Sequence, residues 1–294
     1  MDRRLEFDAY APAQIAERVH NVGVTKARLP FLQTAMLGLL AGGFIGLGSL
    51  FYTIVVSDTT LGFAAARVLG GLVFSLGLIL VVVAGAELFT GNNLLAMAWA
   101  DGKVSTAEVL RNWAIVCAAN FVGAVGLAVI VFLSGHTDMN GGAIGKTYLQ
   151  IAAAKSSLSP ISAFFKGVLC NILVCMAVWM TLAGRSVTDK VVAILFPISA
   201  FVAAGFEHSI ANMYFLPLGM MLKSAADVAP PGTDAIGFAG LFGNLVPVIL
   251  GNIVGGSVLV ALVYYVIYRR GASAPAPAPQ QAGPVATSDP AHHT

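Results

Sequence analysis

The stretch from Val202 to Pro217, VAAGFEHSIANMYFLP, sets an acid and an imidazole side by side, Glu207 and His208, inside an apolar run. An ionisable side chain at membrane depth is costly unless it faces a protein interior or a watery path, so the pair marks a candidate functional site. A second stretch answers it. Glu87 to Asn93 reads ELFTGNN and Glu207 to Met213 reads EHSIANM; both carry E-x4-N and both interrupt a long hydrophobic segment.

The chain around these stretches is 57% hydrophobic and 10% charged, with a mean hydropathy of +0.84. A soluble domain carries about 25% charged residues, so this is the composition of an integral membrane protein. The formal net charge of +2 is small and scattered, and leaves no footprint for a nucleic-acid partner. Cys117, Cys170 and Cys175 all fall in apolar segments, where a thiol packs as a small hydrophobe.

Six apolar segments run approximately over 32–56, 68–100, 113–134, 161–182, 191–222 and 236–268. Six crossings return both termini to one side. Eleven basic residues fall in the terminal regions and even-numbered loops and five opposite, which predicts cytoplasmic termini by the positive-inside rule. The first thirty residues are polar and mixed in charge and the first apolar run is long enough to span, so no cleavable signal peptide is expected. Three regions follow. Residues 1–30 form a cytoplasmic N-terminal segment in which Ile15, Val19 and Val22, at helical spacing, predict an amphipathic helix over 13–28. Residues 31–270 form the transmembrane domain, and residues 271–294, rich in Ala, Pro, Gln and Ser, a disordered cytoplasmic tail. His292 and His293 in that tail read as solvated residues.

The second and fifth segments each exceed thirty residues. As straight helices they would approach about 50 Å, against a hydrocarbon core of roughly 30 Å. Each must therefore break, at ELFTGNN and at EHSIANM, and non-helical backbone at that depth is tolerated only where protein buries it or a cavity solvates it. The echo continues downstream, where NWAIVCAANFVGA (Asn112–Ala124) and NLVPVILGNIVGG (Asn244–Gly256) share N-x7-N followed by Val and Gly. Matched motifs in matched order amount to an internal duplication, with repeats over about 31–135 and 160–270. Three crossings per repeat make it an inverted one, the architecture of secondary transporters with solute sites near the midplane. The repeated E-x4-N frame assigns Glu87, Asn92, Glu207 and Asn212 to holding the two breaks. His208 has Leu88 as its counterpart.

Other function classes lack their residues. The chain has no GxGxxG opening a βαβ unit, no nucleophile with its base and no second intramembrane histidine to build a metal site, so neither an enzyme nor a cofactor or metal is expected. A neutral-solute pore would carry paired NPA loops, which GNN and ANM replace. His20 and His136 read as loop residues. Trp99, Trp113, Tyr264, Tyr265 and Tyr268 lie near segment ends and fit an aromatic belt facing membrane lipid.

These residues resemble the formate/nitrite transporter family over nearly the whole chain, from about Phe7 to Arg270. The resemblance rests on AELFTGNN (Ala86–Asn93), CNILVCMAVWM (Cys170–Met180), GRSVTDK (Gly184–Lys190), GFEHSIANM (Gly205–Met213) and GNIVGG (Gly251–Gly256), and is most like the formate-channel branch. It implies an all-α membrane protein with an aquaporin-like fold: six transmembrane helices in two inverted three-helix repeats, broken at the second and fifth. It further implies a homopentamer in a bacterial inner membrane, each protomer with its own pore. The implied substrate is a small anion, formate first, with nitrite, hydrosulfide or another short monocarboxylate as alternatives. By matching position, the pathway residues are His208, Thr90, Asn171 and Lys155, with Lys155 in the loop before the fourth helix. The constrictions are lined by Phe74, Leu78, Leu88, Phe89, Val174 and Phe201. One stretch departs, since Gly91-Asn92-Asn93 stands where formate channels often carry small hydroxyl residues.

The chemistry of such a path has a preferred route. Carrying a bare carboxylate through a dry apolar ring costs on the order of 20 kcal/mol in the Born limit and several after relaxation. Protonating a carboxylate of pKa near 3.9 at neutral pH costs about 4 kcal/mol, at roughly 1.36 kcal/mol per unit. A histidine between the rings is the residue type suited to lending that proton.

Overall fold

A computed structural model describes residues 9–226 and 231–271. Residues 1–8 of the N-terminal segment, and the tail expectation apart from Gly271, lie outside the described residues. No strand occurs among the described residues, and six helical runs are long and apolar enough to cross a membrane.

The chain opens with α1 (Pro12–Ala27), which precedes the first crossing helix, α2 (Phe31–Val56). The second crossing is assembled from α3 (Phe63–Phe74), α4 (Leu76–Ile79) and a π-helical turn over Leu80–Gly85. The chain then leaves the helix and resumes as α5 (Phe89–Asn92), a 3-10 turn (Asn93–Leu95) and α6 (Ala96–Ala100). The third crossing is α7 (Thr106–Leu133), started by a capping box in which Ser105 Oγ accepts from the Glu108 N–H at 3.2 Å and Glu108 accepts from the Ser105 N–H at 2.8 Å.

The second half repeats this order. A helix not anticipated from the apolar pattern, α8 (Ala143–Ser156), occupies the place of α1 and precedes α9 (Pro160–Thr181). α10 (Val187–Ala204) stops at Gly205, whose φ of +73° is left-handed and suits glycine. α11 (Ser209–Ala225) resumes beyond the break. The last crossing joins α12 (Phe238–Ile253), a π-helical stretch (Val254–Leu262) and α13 (Val263–Tyr268). Gly85, with φ +88°, ends the first half-helix as Gly205 ends the other.

The main core lies between the halves, with Ile45, Val116, Tyr148, Val174, Ile194, Ile210 and Tyr214 buried together. A second cluster seats α1 on the membrane domain, packing Ile15, Ala16 and Val19 against Leu94, Met97, Trp179 and Val260. Burying an aliphatic side chain stabilises by about 1.5–3 kcal/mol, so these contacts fix α1 against the first break. His20, read as a loop residue, lies on α1 with 6% of its surface exposed, its Nε2 3.0 Å from Asp101 Oδ2. The ion pair of Asp101 with Arg269 at 2.8 Å explains why burial is tolerated there.

Candidate functional site

The two breaks are held by one hydrogen-bonded frame used twice. At the first, the Glu87 carboxylate accepts from Asn92 Nδ2 at 2.7 Å and pairs with Lys26 Nζ at 2.9 Å. Asn92 Nδ2 also donates to Asn112 Oδ1 at 3.0 Å, and Asn112 Nδ2 returns to the Lys26 carbonyl at 3.2 Å. At the second, Glu207 accepts from Asn212 Nδ2 at 2.6 Å and pairs with Lys155 Nζ at 3.0 Å. Asn212 Nδ2 donates to Asn244 Oδ1 at 2.7 Å, and Asn244 Nδ2 returns to the Lys155 carbonyl at 3.0 Å.

The backbone ties correspond as well. The Glu87 N–H donates to the Leu37 carbonyl and the Glu207 N–H to the Lys166 carbonyl, both at 3.2 Å. Asn120 accepts from the Phe89 N–H at 2.9 Å and donates to the carbonyls of Gly38 and Glu87 at 2.7 and 2.9 Å. Asn252 accepts from the Ser209 N–H at 3.0 Å and donates to the carbonyls of Gly167 and Glu207 at 2.8 and 3.1 Å. Buried backbone groups without partners cost about 1–3 kcal/mol each, which is what these asparagines prevent where the helix stops. The frame begins upstream of the anticipated repeat boundaries of 31 and 160, because Lys26 and Lys155 come from α1 and α8.

All four positions between carboxylate and asparagine differ between the two frames, and two of these residues, one from each frame, meet. His208 caps α11, accepting the Ala211 N–H on Nδ1 at 3.1 Å. A neutral imidazole has one donor and one acceptor nitrogen, so Nε2 carries the hydrogen and donates to Thr90 Oγ1 at 3.0 Å. In the opposite repeat Leu88 stands for His208 and Ile210 for Thr90. The ring of Phe201 stacks on His208 with centroids 5.8 Å apart, and Phe74 meets Phe201 edge-on at 5.7 Å.

Cavities approach this centre from both sides. One, of about 440 Å³, is bordered by Leu78, Glu87, Leu88 and Asn92 and by Val22, Gly23 and Lys26 of α1. The other, of about 290 Å³, is bordered by Phe74, Lys155, Phe201, Glu207 and His208. Thr90 borders neither and is fully buried between them. Leu78 and Leu88 line one cavity, and Phe74 and Phe201 the other.

Five residues singled out in the sequence sit differently from expectation. Lys155 is on the last turn of α8, not in a loop, and its ammonium is committed to Glu207, with the Phe215 ring 5.8 Å away. Asn171 borders neither cavity; its Nδ2 donates to the carbonyls of Thr90 and Asn252 and to Asn93 Oδ1 at 3.2, 2.6 and 2.7 Å, tying the first break to α12. This contact also accounts for Asn93 within the departing GNN stretch. Phe89 borders neither cavity and packs edge-on against Trp113 at 6.5 Å. Trp113 is half-buried, and its Nε1 donates to the Asn92 carbonyl at 3.0 Å, so it braces the first break instead of joining a lipid-facing belt. Val174 is buried in the core and borders neither cavity.

Lys26 is the main residue the sequence reading missed. Its signal is faint: VTKARLP at residues 24–30 and AAKSSLSP at 153–160 both place a lysine shortly before a Leu and a Pro at the start of a crossing helix.

The family model described as formate/nitrite transporter matches residues 13–266 of this chain. The chain belongs to the formate/nitrite transporter family. Within that family it is 40% identical over 276 residues to the formate channel FocA of Escherichia coli strain K12, covering 90% of this chain and 96% of the relative. FocA of Haemophilus influenzae is 38% identical over 275 residues, covering 89% and 95%. A solved structure described as a pentameric formate channel with formate bound is 39% identical, with a TM-score of 0.75 and coverage of 81% of this chain and 97% of that one. The doubled frame therefore belongs to a multi-pass membrane protein of this family.

Proposed function

We propose that the chain assembles as a homopentamer whose protomers each conduct formate through the His208–Thr90 centre. The relatives named above as formate channels, one of them pentameric, support the substrate and the assembly. The observation that carries the reading for this chain is one hydrogen-bonded pair, His208 Nε2 and Thr90 Oγ1, buried between two cavities that apolar side chains line on either side. Eleven basic residues against five support cytoplasmic termini, and with that orientation the cavity bordered by α1 opens inward.

Formate enters as the anion and crosses the dry centre as the neutral acid, because neutralisation at about 4 kcal/mol is cheaper than carrying a bare charge between the collars. His208 binds the carboxyl by donation from Nε2. Lending that proton from a neutral ring would leave an imidazolate, a far stronger base than formate. The ring therefore lends a proton only when Nδ1 gains one, and that requires the Ala211 N–H to be released from it. Proton delivery is coupled in this way to the cap of α11.

The test is a comparison of formate, nitrite, hydrosulfide and glycerol flux in one proteoliposome preparation. Formate flux should lead and glycerol should be excluded. A strong preference for nitrite would move the chain to the nitrite branch, and glycerol permeation would refute an anion path.

A further inference from the structure

The repeated frame hides a difference between the two half-helix ends. α10 stops beside the smaller cavity, and its terminal carbonyls carry the partial negative charge of a helix C-terminus, roughly half an elementary charge. Arg67, on α3, covers that end: Nε donates to the Ala203 carbonyl and a terminal nitrogen to the Val202 carbonyl, both at 2.9 Å, and the other terminal nitrogen to Tyr52 Oη at 3.1 Å. The fit includes Gly205, where a Cβ would lie 2.8 Å from the guanidinium. The equivalent end at Gly85 borders the larger cavity, and among the described residues no side chain donates to the carbonyls of residues 82–85.

The charges facing the cavities differ in the same sense. The larger cavity has Lys26 against Glu87, formally neutral. The smaller has Arg67, Lys155 and Lys166 against Glu207, formally +2. Lys155 and Lys26 are each committed to the carboxylate of their own frame, so the surplus comes from Arg67 and Lys166. Of these two, Arg67 also cancels a fixed negative end.

From this difference we infer that Arg67 makes the smaller cavity the stronger anion-loading side, a sidedness superimposed on a nearly symmetric pore. Arg67 is a positioning residue for the broken end of α10 and at the same time the local cation. An anion arriving there meets a neutralised helix terminus and a net positive wall, whereas one arriving at the other cavity meets an uncapped terminus and no net charge. Screening by salt should erase the difference, because the Debye length falls from about 30 Å at 0.01 M to about 3 Å at 1 M.

The inference rests on the formate-channel reading, and a sided measurement separates the two. Single insertions in a planar bilayer are titrated with formate from each face in turn, for the unaltered protein, Arg67→Gln and Arg67→Lys, with pentamer elution as a folding control. In the unaltered channel at low salt, half-saturation from one face should come at a concentration about five-fold lower than from the other, converging in 1 M salt. Arg67→Gln should abolish that advantage on its own face and leave the other face within about two-fold, and Arg67→Lys, which keeps the charge, should retain most of it. Equal half-saturation from both faces of the unaltered protein overturns the inference, even if Arg67→Gln does not fold. So does an equal effect of Arg67→Gln on both faces, or failure of Arg67→Lys to retain the advantage, which would assign the effect to cap geometry. Absence of any formate current in the unaltered protein would refute the channel reading itself.

Discussion

The break at Glu87–Asn93 and the break at Glu207–Met213 have the same scaffold and different contents. Both hold a carboxylate by an asparagine five residues on, a second asparagine from the next crossing helix and a lysine from the short helix before the repeat. Between carboxylate and asparagine, however, the first carries Leu88 and Thr90 and the second His208 and Ile210. The comparison separates two kinds of demand. Stopping a helix in lipid is a backbone problem with one good solution, which duplication preserved. The polar pair proposed to meet the anion is needed at one point only, and each repeat supplies half of it.

The largest effect should come from the scaffold. Glu207→Gln and Glu87→Gln each leave a half-buried lysine without its carboxylate, a change that costs about 3–5 kcal/mol where the pair is fully buried and less where it is partly exposed. Lys26 is 28% exposed at its side chain and Lys155 16%, so Glu207→Gln should lower the thermal midpoint of the solubilised pentamer more than Glu87→Gln. The reverse order would break the correspondence between the frames.

A smaller effect tests the contents. Thr90→Val keeps the shape and removes the acceptor of His208 Nε2–H, at about 1–3 kcal/mol for an unsatisfied buried group. Formate flux should fall roughly ten-fold with a smaller drop in thermal midpoint than either scaffold variant gives, and Thr90→Ser should recover most of both. Full flux in Thr90→Val would place the conducting centre elsewhere.

Much of this architecture was legible in the sequence, and the reason is covalent. Glu87 and Asn92, or Asn112 and Asn120, are bound to fixed spacings because each pair lies on one local stretch of backbone, so E-x4-N and N-x7-N survive as patterns. Lys26 and Lys155 reach their carboxylates through space from α1 and α8, and nothing local fixes their distance in sequence. α8 itself went unseen because its AIGKTYLQIAAAKS is too polar to stand out as a crossing and too short to need one. Trp113 misled because position near a segment end suggests an interface, and His20 because it lies outside the crossings, while the contacts with the Asn92 carbonyl and with Asp101 are made by the folded chain alone. The Nδ1 cap on Ala211 is likewise a geometric fact, and it restricts how His208 can handle a proton.

The most direct measurement is formate uptake into proteoliposomes between about pH 5 and 8 for the unaltered protein and His208→Asn. Because the asparagine can cap α11 but cannot take up and release a proton in that range, the account predicts a preserved pentamer, a large loss of flux and a flattened pH response. Unchanged flux with an unchanged pH response would contradict it.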